Sequence, residues 1–197
     1  LLHGLSDDHT VWQRWSALER KLSGIPLAVV MPTTLRGFYT DMKYGPQYFT
    51  FIGDELPGLC ERLFHLSPRR EDRFAAGLSM GGYGAFKLGI LRPDRFSAVA
   101  SLSGALDVVG STDSAFDYGS ILPEYPWIFG AREEAIGSDN DLFYAARRAA
   151  DSGAQLPRFF MWCGTEDKLY RENALFYRRF GKALRIEYRQ SEGAHEW

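Results

Sequence analysis

Residues 73–91, RFAAGLSMGGYGAFKLGIL, read in three parts. Arg73 to Leu78 is a short run ending in Gly77-Leu78, and the reading there is a strand. Met80 to Leu91 is predicted as a helix, stopped by Arg92-Pro93, because proline cannot continue the hydrogen-bond ladder. Between them stands Gly77-Leu78-Ser79-Met80-Gly81, a G-x-S-x-G turn. A serine on so tight a strand-to-helix turn needs φ > 0, and glycines two before and two after leave it room. The turn presents the hydroxyl at a helix N-terminus, where backbone N–H groups can meet a developing negative charge.

Working outward, the same alternation continues. Val11, Trp12, Trp15, Leu18 and Leu22 recur at helical spacing, with Thr10 in N-cap position. Leu27 to Met31, ended by Pro32, reads as a buried strand, and residues 33–46 as a long polar and aromatic loop. Gln47 to Leu66 has helical periodicity with a kink at Pro57. Phe96 to Leu102 is predicted as a strand. Residues 104–157 read as an irregular excursion holding one clear helix near Asp141 to Asp151. Strand Phe159–Cys163, helix Arg171–Leu184 and strand Arg185–Gln190 follow. Strands alternating with helices predict an α/β class chain with a mostly parallel sheet covered by helices on both faces. The whole of residues 1–197 reads as one such domain.

Composition removes several alternatives. Of 197 residues 45% are apolar and 24% charged, with 23 Lys+Arg against 25 Asp+Glu. That balance supports a single sizeable core. A pI near 6.1 without basic blocks argues against nucleic acid as a partner. Apolar runs such as Ile25 to Met31 fall far short of the ~20 residues of a membrane-spanning helix. Cys60 and Cys163 show no metal-ligand spacing, and nothing calls for a metal or an organic cofactor. Leu1-Leu2-His3-Gly4 reads as the end of a buried strand, and the chain stops at Gly193-Ala194-His195-Glu196-Trp197, in what reads as a loop. The expectation is a segment of a longer chain.

A serine hydroxyl needs a base to take its proton. Of the four histidines, His65 ends an amphipathic helix, His9 sits in a polar turn and His3 packs beneath the Gly4 turn. His195 follows the last strand in a loop from which an imidazole can reach a neighbouring strand end. It is the favoured base. Asp167, after strand Phe159–Cys163, is the favoured carboxylate to orient that imidazole, with Glu166 as its competitor. The chain order Ser79, Asp167, His195 is that of the α/β hydrolases. Backbone N–H groups of Leu5 and Met80 are assigned to an oxyanion hole. Phe38, Tyr39 and Tyr44, in the loop from Thr33 to Gln47, either wall a small acyl pocket or cover the sheet edge. They are taken here as pocket candidates.

These motifs together resemble the esterase D-like branch of the α/β hydrolases, which includes bacterial tributyrin and acetyl esterases, S-formylglutathione hydrolases, feruloyl esterases and mycolyltransferases. The resemblance runs through residues 1–6, Arg36-Gly37-Phe38-Tyr39-Thr40-Asp41-Met42, residues 77–85, Gly164-Thr165-Glu166-Asp167 and His195-Glu196-Trp197. It implies Ser79, Asp167 and His195 as a triad and Leu5 and Met80 as the hole. It also implies strands before Leu1 and a helix after His195 that this chain does not carry. Formylglutathione hydrolases usually have His where Leu78 stands, and Lys168 replaces an expected apolar residue. The implied activity is serine carboxylester hydrolysis of a small-molecule ester with a short acyl group, acetyl esters of sugars included. Thioester hydrolysis or acyl transfer by the same triad is the alternative, and a catalytically silent hydrolase-like binding domain is the reading from another class.

Overall fold

Four parallel strands make one sheet in the computed structural model of the chain, which describes residues 1–113 and 115–196. β1 (Phe74–Leu78), β2 (Ala98–Leu102), β3 (Arg158–Gly164) and β4 (Glu187–Ser191) lie across it in chain order. In register, Gly77 faces Ser101, Ser101 faces Met161, and Met161 faces Tyr188. Beyond β1, Leu2 forms a parallel bridge with Gly77. Its N–H donates to Ala76 at 2.8 Å, and its carbonyl accepts from Leu78 at 3.4 Å. Because all these segments run the same way, the loops after Leu2, β1, β3 and β4 emerge at one end of the sheet. That places Gly4, Ser79, Asp167 and His195 together.

Helices α1 (Val11–Trp15) and α2 (Leu18–Leu22) replace the single helix expected there. The break is at Ser16, whose hydroxyl donates to the Trp12 carbonyl, the acceptor that a continuing helix would have used for the Ser16 N–H. The expected helix over 47–66 is continuous but not uniform. α3 (Tyr48–Thr50) passes through a π turn at Phe51–Glu55 into α4 (Leu56–Phe64). The π turn lies just before Pro57, which has no N–H to donate, so the kink becomes a local rewinding. His65 then caps α4 in the left-handed conformation, exposed. α5 (Met80–Leu91) runs as expected and packs on β1 and β2; it is apolar nearly all round, as a core helix must be.

The excursion over 104–157 contains α6 (Tyr125–Phe129), α7 (Arg132–Ala135) and α8 (Leu142–Asp151). α8, capped by the Asp141 carboxylate accepting from Tyr144 N–H at 3.1 Å, packs on α5 and on α9 (Tyr170–Phe180). The contacts are aromatic: Phe143 of α8 meets Phe176 of α9 edge-on at 5.1 Å, and Phe86 of α5 meets Phe176 at 5.8 Å. Among the described residues no helix is long and apolar enough to cross a membrane.

Leu27–Met31 does not form a strand. Its apolar residues are half-buried or exposed, Leu27 at 45%. Pro26 and Pro32 bracket the run, and among the described residues its hydrogen bonding to the sheet side is one contact, from the Leu1 nitrogen to the Val30 carbonyl at 2.7 Å. A buried strand is defined by its ladder, and β-branched composition alone cannot supply one.

Lys87, in α5, is buried between Phe49 and Tyr83, with its amine donating to Thr40 and Asn140. Burial pushes the amine down to about 7, partly offset by the charges of Asp41 and Asp139. From there to the ordinary value of 10.5 the unfolded chain binds the proton that the folded chain has lost. Stability contributed by Lys87 therefore rises with pH across that window. Urea unfolding at pH 7, 8 and 9 should show the wild type gaining on Lys87→Met by roughly 1 kcal/mol per pH unit. A constant difference would mean that the buried amine keeps its proton.

Candidate active site

Ser79 stands between β1 and α5 at φ 57°, ψ −116°, a conformation costly for a residue with a Cβ. Its own backbone is held on both sides. The Ser79 N–H donates to Leu102 at 2.9 Å, and its carbonyl accepts from Tyr83 and Ala105, each at 3.1 Å. The flanking glycines serve close approach rather than unusual dihedrals. A Cβ on Gly77 would collide with the Gly81 carbonyl, and one on Gly81 with the Leu2 carbonyl. G-x-S-x-G is therefore the spacing at which β1, α5 and the Leu2 segment can touch backbone to backbone.

Asp167 follows β3 in a turn closed by its N–H donating to Gly164 at 3.3 Å. One carboxylate oxygen accepts from the Leu169 N–H at 2.7 Å and the other from Nδ1 of His195 at 2.8 Å. Burial acts to raise this carboxyl, but hydrogen bonds from His195, Leu169 and Ser103 outweigh it and hold it below the ordinary carboxylate range. With Nδ1–H committed to Asp167, Nε2 of His195 accepts from the Ser79 hydroxyl at 2.9 Å. Ser79, His195 and Asp167, far apart in the chain, thus form one continuous hydrogen-bonded line. Glu166 points elsewhere and is exposed. Trp197 lies outside the described residues.

Gly4 lies against Ser79, since a Cβ there would be 3.7 Å from the Ser79 Cβ. Neither the Leu5 nor the Met80 N–H has an acceptor among the described residues, and both flank the Ser79 hydroxyl in sequence or space. His3 is buried under this turn: it accepts at Nε2 from Thr34 N–H at 3.1 Å and so donates from Nδ1 to the Gly4 carbonyl at 2.8 Å. Arg36, whose motif is legible in the sequence but whose task is not, reaches across. It donates to Ser6 Oγ and to the Ile121 carbonyl, each at 2.7 Å, and pairs with Glu124.

Beside Ser79 and His195 is a cavity of about 210 Å³. Of the three aromatics assigned to its wall, Phe38 lines it and the other two do not. Tyr39 turns its hydroxyl to the His3 carbonyl at 3.0 Å, supporting the turn from below. Tyr44 is 69% exposed, carried outward by the reversal that pairs Asp41 with Gln47. Phe116, Tyr118 and Ile121 take their place, all from the excursion. No periodicity marks them, because that stretch is ordered by contacts with α9 rather than by its own repeat. Lys168 also borders the cavity, its ammonium 5.3 Å from the centre of the Phe116 ring.

The family model described as "Putative esterase" matches residues 2–190. The chain is 30% identical over 202 residues to an acetyl esterase of Caldicellulosiruptor saccharolyticus, covering all of this chain and 76% of that enzyme. Among solved structures, a fluorophosphonate-binding serine hydrolase of Staphylococcus aureus superposes with TM-score 0.87 at 30% identity, over 99% of this chain and 75% of that one. An S-formylglutathione hydrolase of the same organism gives 0.83 at 30% identity, over the same shares. The chain belongs to this esterase family, within the esterase D-like branch of the α/β hydrolases, and is a serine carboxylesterase.

Proposed function

We propose that the chain hydrolyses short-chain acyl esters, acetyl esters of sugars among them, through an acyl-enzyme on Ser79. The hydrogen-bonded line from Asp167 through His195 to Ser79 carries this reading. Ser79 Oγ attacks the ester carbonyl while Nε2 of His195 takes its proton. The resulting oxyanion is met by the N–H groups of Leu5 and Met80, and Asp167 stabilises the imidazolium. His195 returns the proton to the leaving alcohol, and Ser79 holds the acyl group. A water deprotonated by Nε2 then attacks the acyl-enzyme, the oxyanion forms again, and the acid leaves as Ser79 recovers its proton.

Substrate size is read from the cavity. At about 210 Å³ it is smaller than the ~300 Å³ at which drug-sized ligand sites begin, and Phe116, Tyr118 and Ile121 bound it. Burying a methylene gains only ~0.8 kcal/mol, less than a clash with such a wall costs. A series of p-nitrophenyl esters should therefore give kcat/KM at least about tenfold higher for acetyl and butyryl than for acyl chains of eight carbons or more. A kcat/KM that climbs steadily to long chains would overturn the short-acyl reading. The similarity to an S-formylglutathione hydrolase favours thioester hydrolysis as a second reading. A short acyl-glutathione thioester in the same assay separates the two.

A further inference from the structure

Glu172, on α9, lies outside the triad and is fully buried, yet its carboxylate is fully engaged. Oε1 accepts from the Tyr118 hydroxyl at 2.7 Å and from the Asp107 N–H at 3.3 Å, and Oε2 accepts from the Phe116 N–H at 3.2 Å. Next to it, Asn173 donates to the Gly104 carbonyl at 2.8 Å. Two adjacent residues of one helix thus hold the first stretch of the excursion at both ends, at Gly104 and Asp107 and again at Phe116 and Tyr118. Phe116 and Tyr118 are the part that bounds the cavity beside Ser79. Burying a carboxylate is costly unless its acceptors are filled, so this carboxylate has a structural task. A core that needed only volume there would be met by an apolar side chain.

We propose that Glu172 is the positioning residue that sets the acyl-size limit of the site, by holding the Phe116 and Tyr118 rings at the cavity beside Ser79. The proposal rests on the short-acyl esterase reading. It assigns the limit to one carboxylate behind the wall rather than to the rings alone. The Phe116 ring packs partly buried against the core, meets Tyr118 edge-on at 5.4 Å and carries the Lys168 ammonium 5.3 Å from its centre.

The clamp is sensitive to protonation. Burial pushes the Glu172 carboxyl up to about 7, helped by the charge of Asp107 and opposed by the hydrogen bonds from Tyr118 and from the Phe116 and Asp107 N–H groups. The groups that face it are acids: Asp107 from the turn after β2, Tyr118 from the excursion and Cys163 from the end of β3, with Asp167 on the far side of Tyr118. A proton on Glu172 takes a lone pair from an oxygen that serves the backbone N–H of Asp107 or Phe116, and these N–H groups, unlike the Tyr118 hydroxyl, cannot turn to accept it. The wall is therefore held above pH 7 and relaxes below it. A pH effect on the chemical step common to both esters cancels in the ratio of octanoyl to acetyl kcat/KM, which isolates the wall.

The test compares wild type, Glu172→Gln and the milder Tyr118→Phe on acetyl and octanoyl p-nitrophenyl esters, with amide hydrogen exchange over residues 105–118. In the wild type the octanoyl-to-acetyl ratio should be higher at pH 6 than at pH 8. In Glu172→Gln it should rise at least about fivefold, mainly through octanoyl KM, and lose its pH dependence. Exchange over 105–118 should quicken by about tenfold or more while α5 keeps its protection. Tyr118→Phe should move both readouts the same way by less. Unchanged ratio and unchanged exchange overturn the proposal. So does an equal loss of kcat at all chain lengths with exchange quickened throughout, which is general destabilisation. If the wild type cleaves neither ester, the esterase reading fails, and the exchange measurement by itself decides whether Glu172 holds the wall.

Discussion

Ser79→Ala is expected to lower kcat/KM for acetyl esters by about 10⁴- to 10⁶-fold, with residual turnover from the oxyanion donors and binding alone. The loss is large because the neighbouring serines Ser101, Ser103 and Ser6 cannot substitute. Ser101 is fully buried beneath the close contact of Gly82 with Gly104, so an ester carbonyl cannot approach it. Ser103 is buried too, its hydroxyl directed at the Cys163 sulfur and the Asp167 carboxylate. Ser6 is occupied by Arg36. Alanine keeps the Cβ that Ser79 already holds at positive φ, and the backbone bonds to Leu102, Tyr83 and Ala105 do not involve the hydroxyl. The thermal midpoint should therefore stay within a few degrees. The measurement is initial rate together with intact-mass detection of fluorophosphonate labelling: one adduct on the wild type, none on the variant. Labelling and turnover that survive in Ser79→Ala would assign the chemistry to another residue.

Asp167→Asn is expected to cost about 10⁴-fold in kcat, whereas Glu166→Gln should stay within about twofold of wild type. The size of the first effect follows from the Leu169 N–H. That donor, 2.7 Å from one oxygen of Asp167, will keep the remaining carbonyl oxygen of an asparagine for itself. The amide NH₂ is then turned to Nδ1 of His195, where a carboxylate oxygen now accepts at 2.8 Å. A donor at that place forces the proton of the neutral imidazole onto Nε2. Nε2 then faces Ser79 Oγ as a donor and cannot take its proton. Glu166 is exposed and has no such contact. Rates for both variants under saturating acetyl ester decide the matter, and the reverse pattern would move the acid to Glu166.

Strands and helices next to the G-x-S-x-G turn are legible from the residues because their cause is local. α5 begins and ends where the sequence pattern puts it, at the serine turn and before Arg92-Pro93. β1 and β3 lie within a residue of their expected bounds. The order Ser79, Asp167, His195 is likewise written in the chain: each follows a run that reads as a strand and forms one, and parallel strands carry their following loops to one end.

What lies between elements is decided in three dimensions. Leu27–Met31 has the composition of a strand but no ladder to join. Ser16 ends α1 through a bond to a carbonyl that periodicity does not see. Tyr39 and Tyr44 sit in the expected loop yet face the His3 turn and solvent, while Phe116, Tyr118 and Ile121 reach the cavity from a stretch without a repeat. Glu172 shows the reason most directly. In sequence it is one acid on an amphipathic helix, indistinguishable from a solvated one. In the fold it is buried by groups more than 50 residues away, joined to Tyr118 and Phe116 at separations of 54 and 56. Periodicity reports which dihedrals a segment prefers, and those are fixed by near neighbours. The walls of the site depend on which distant surfaces meet, and that is settled only when the sheet, α5 and α9 have packed.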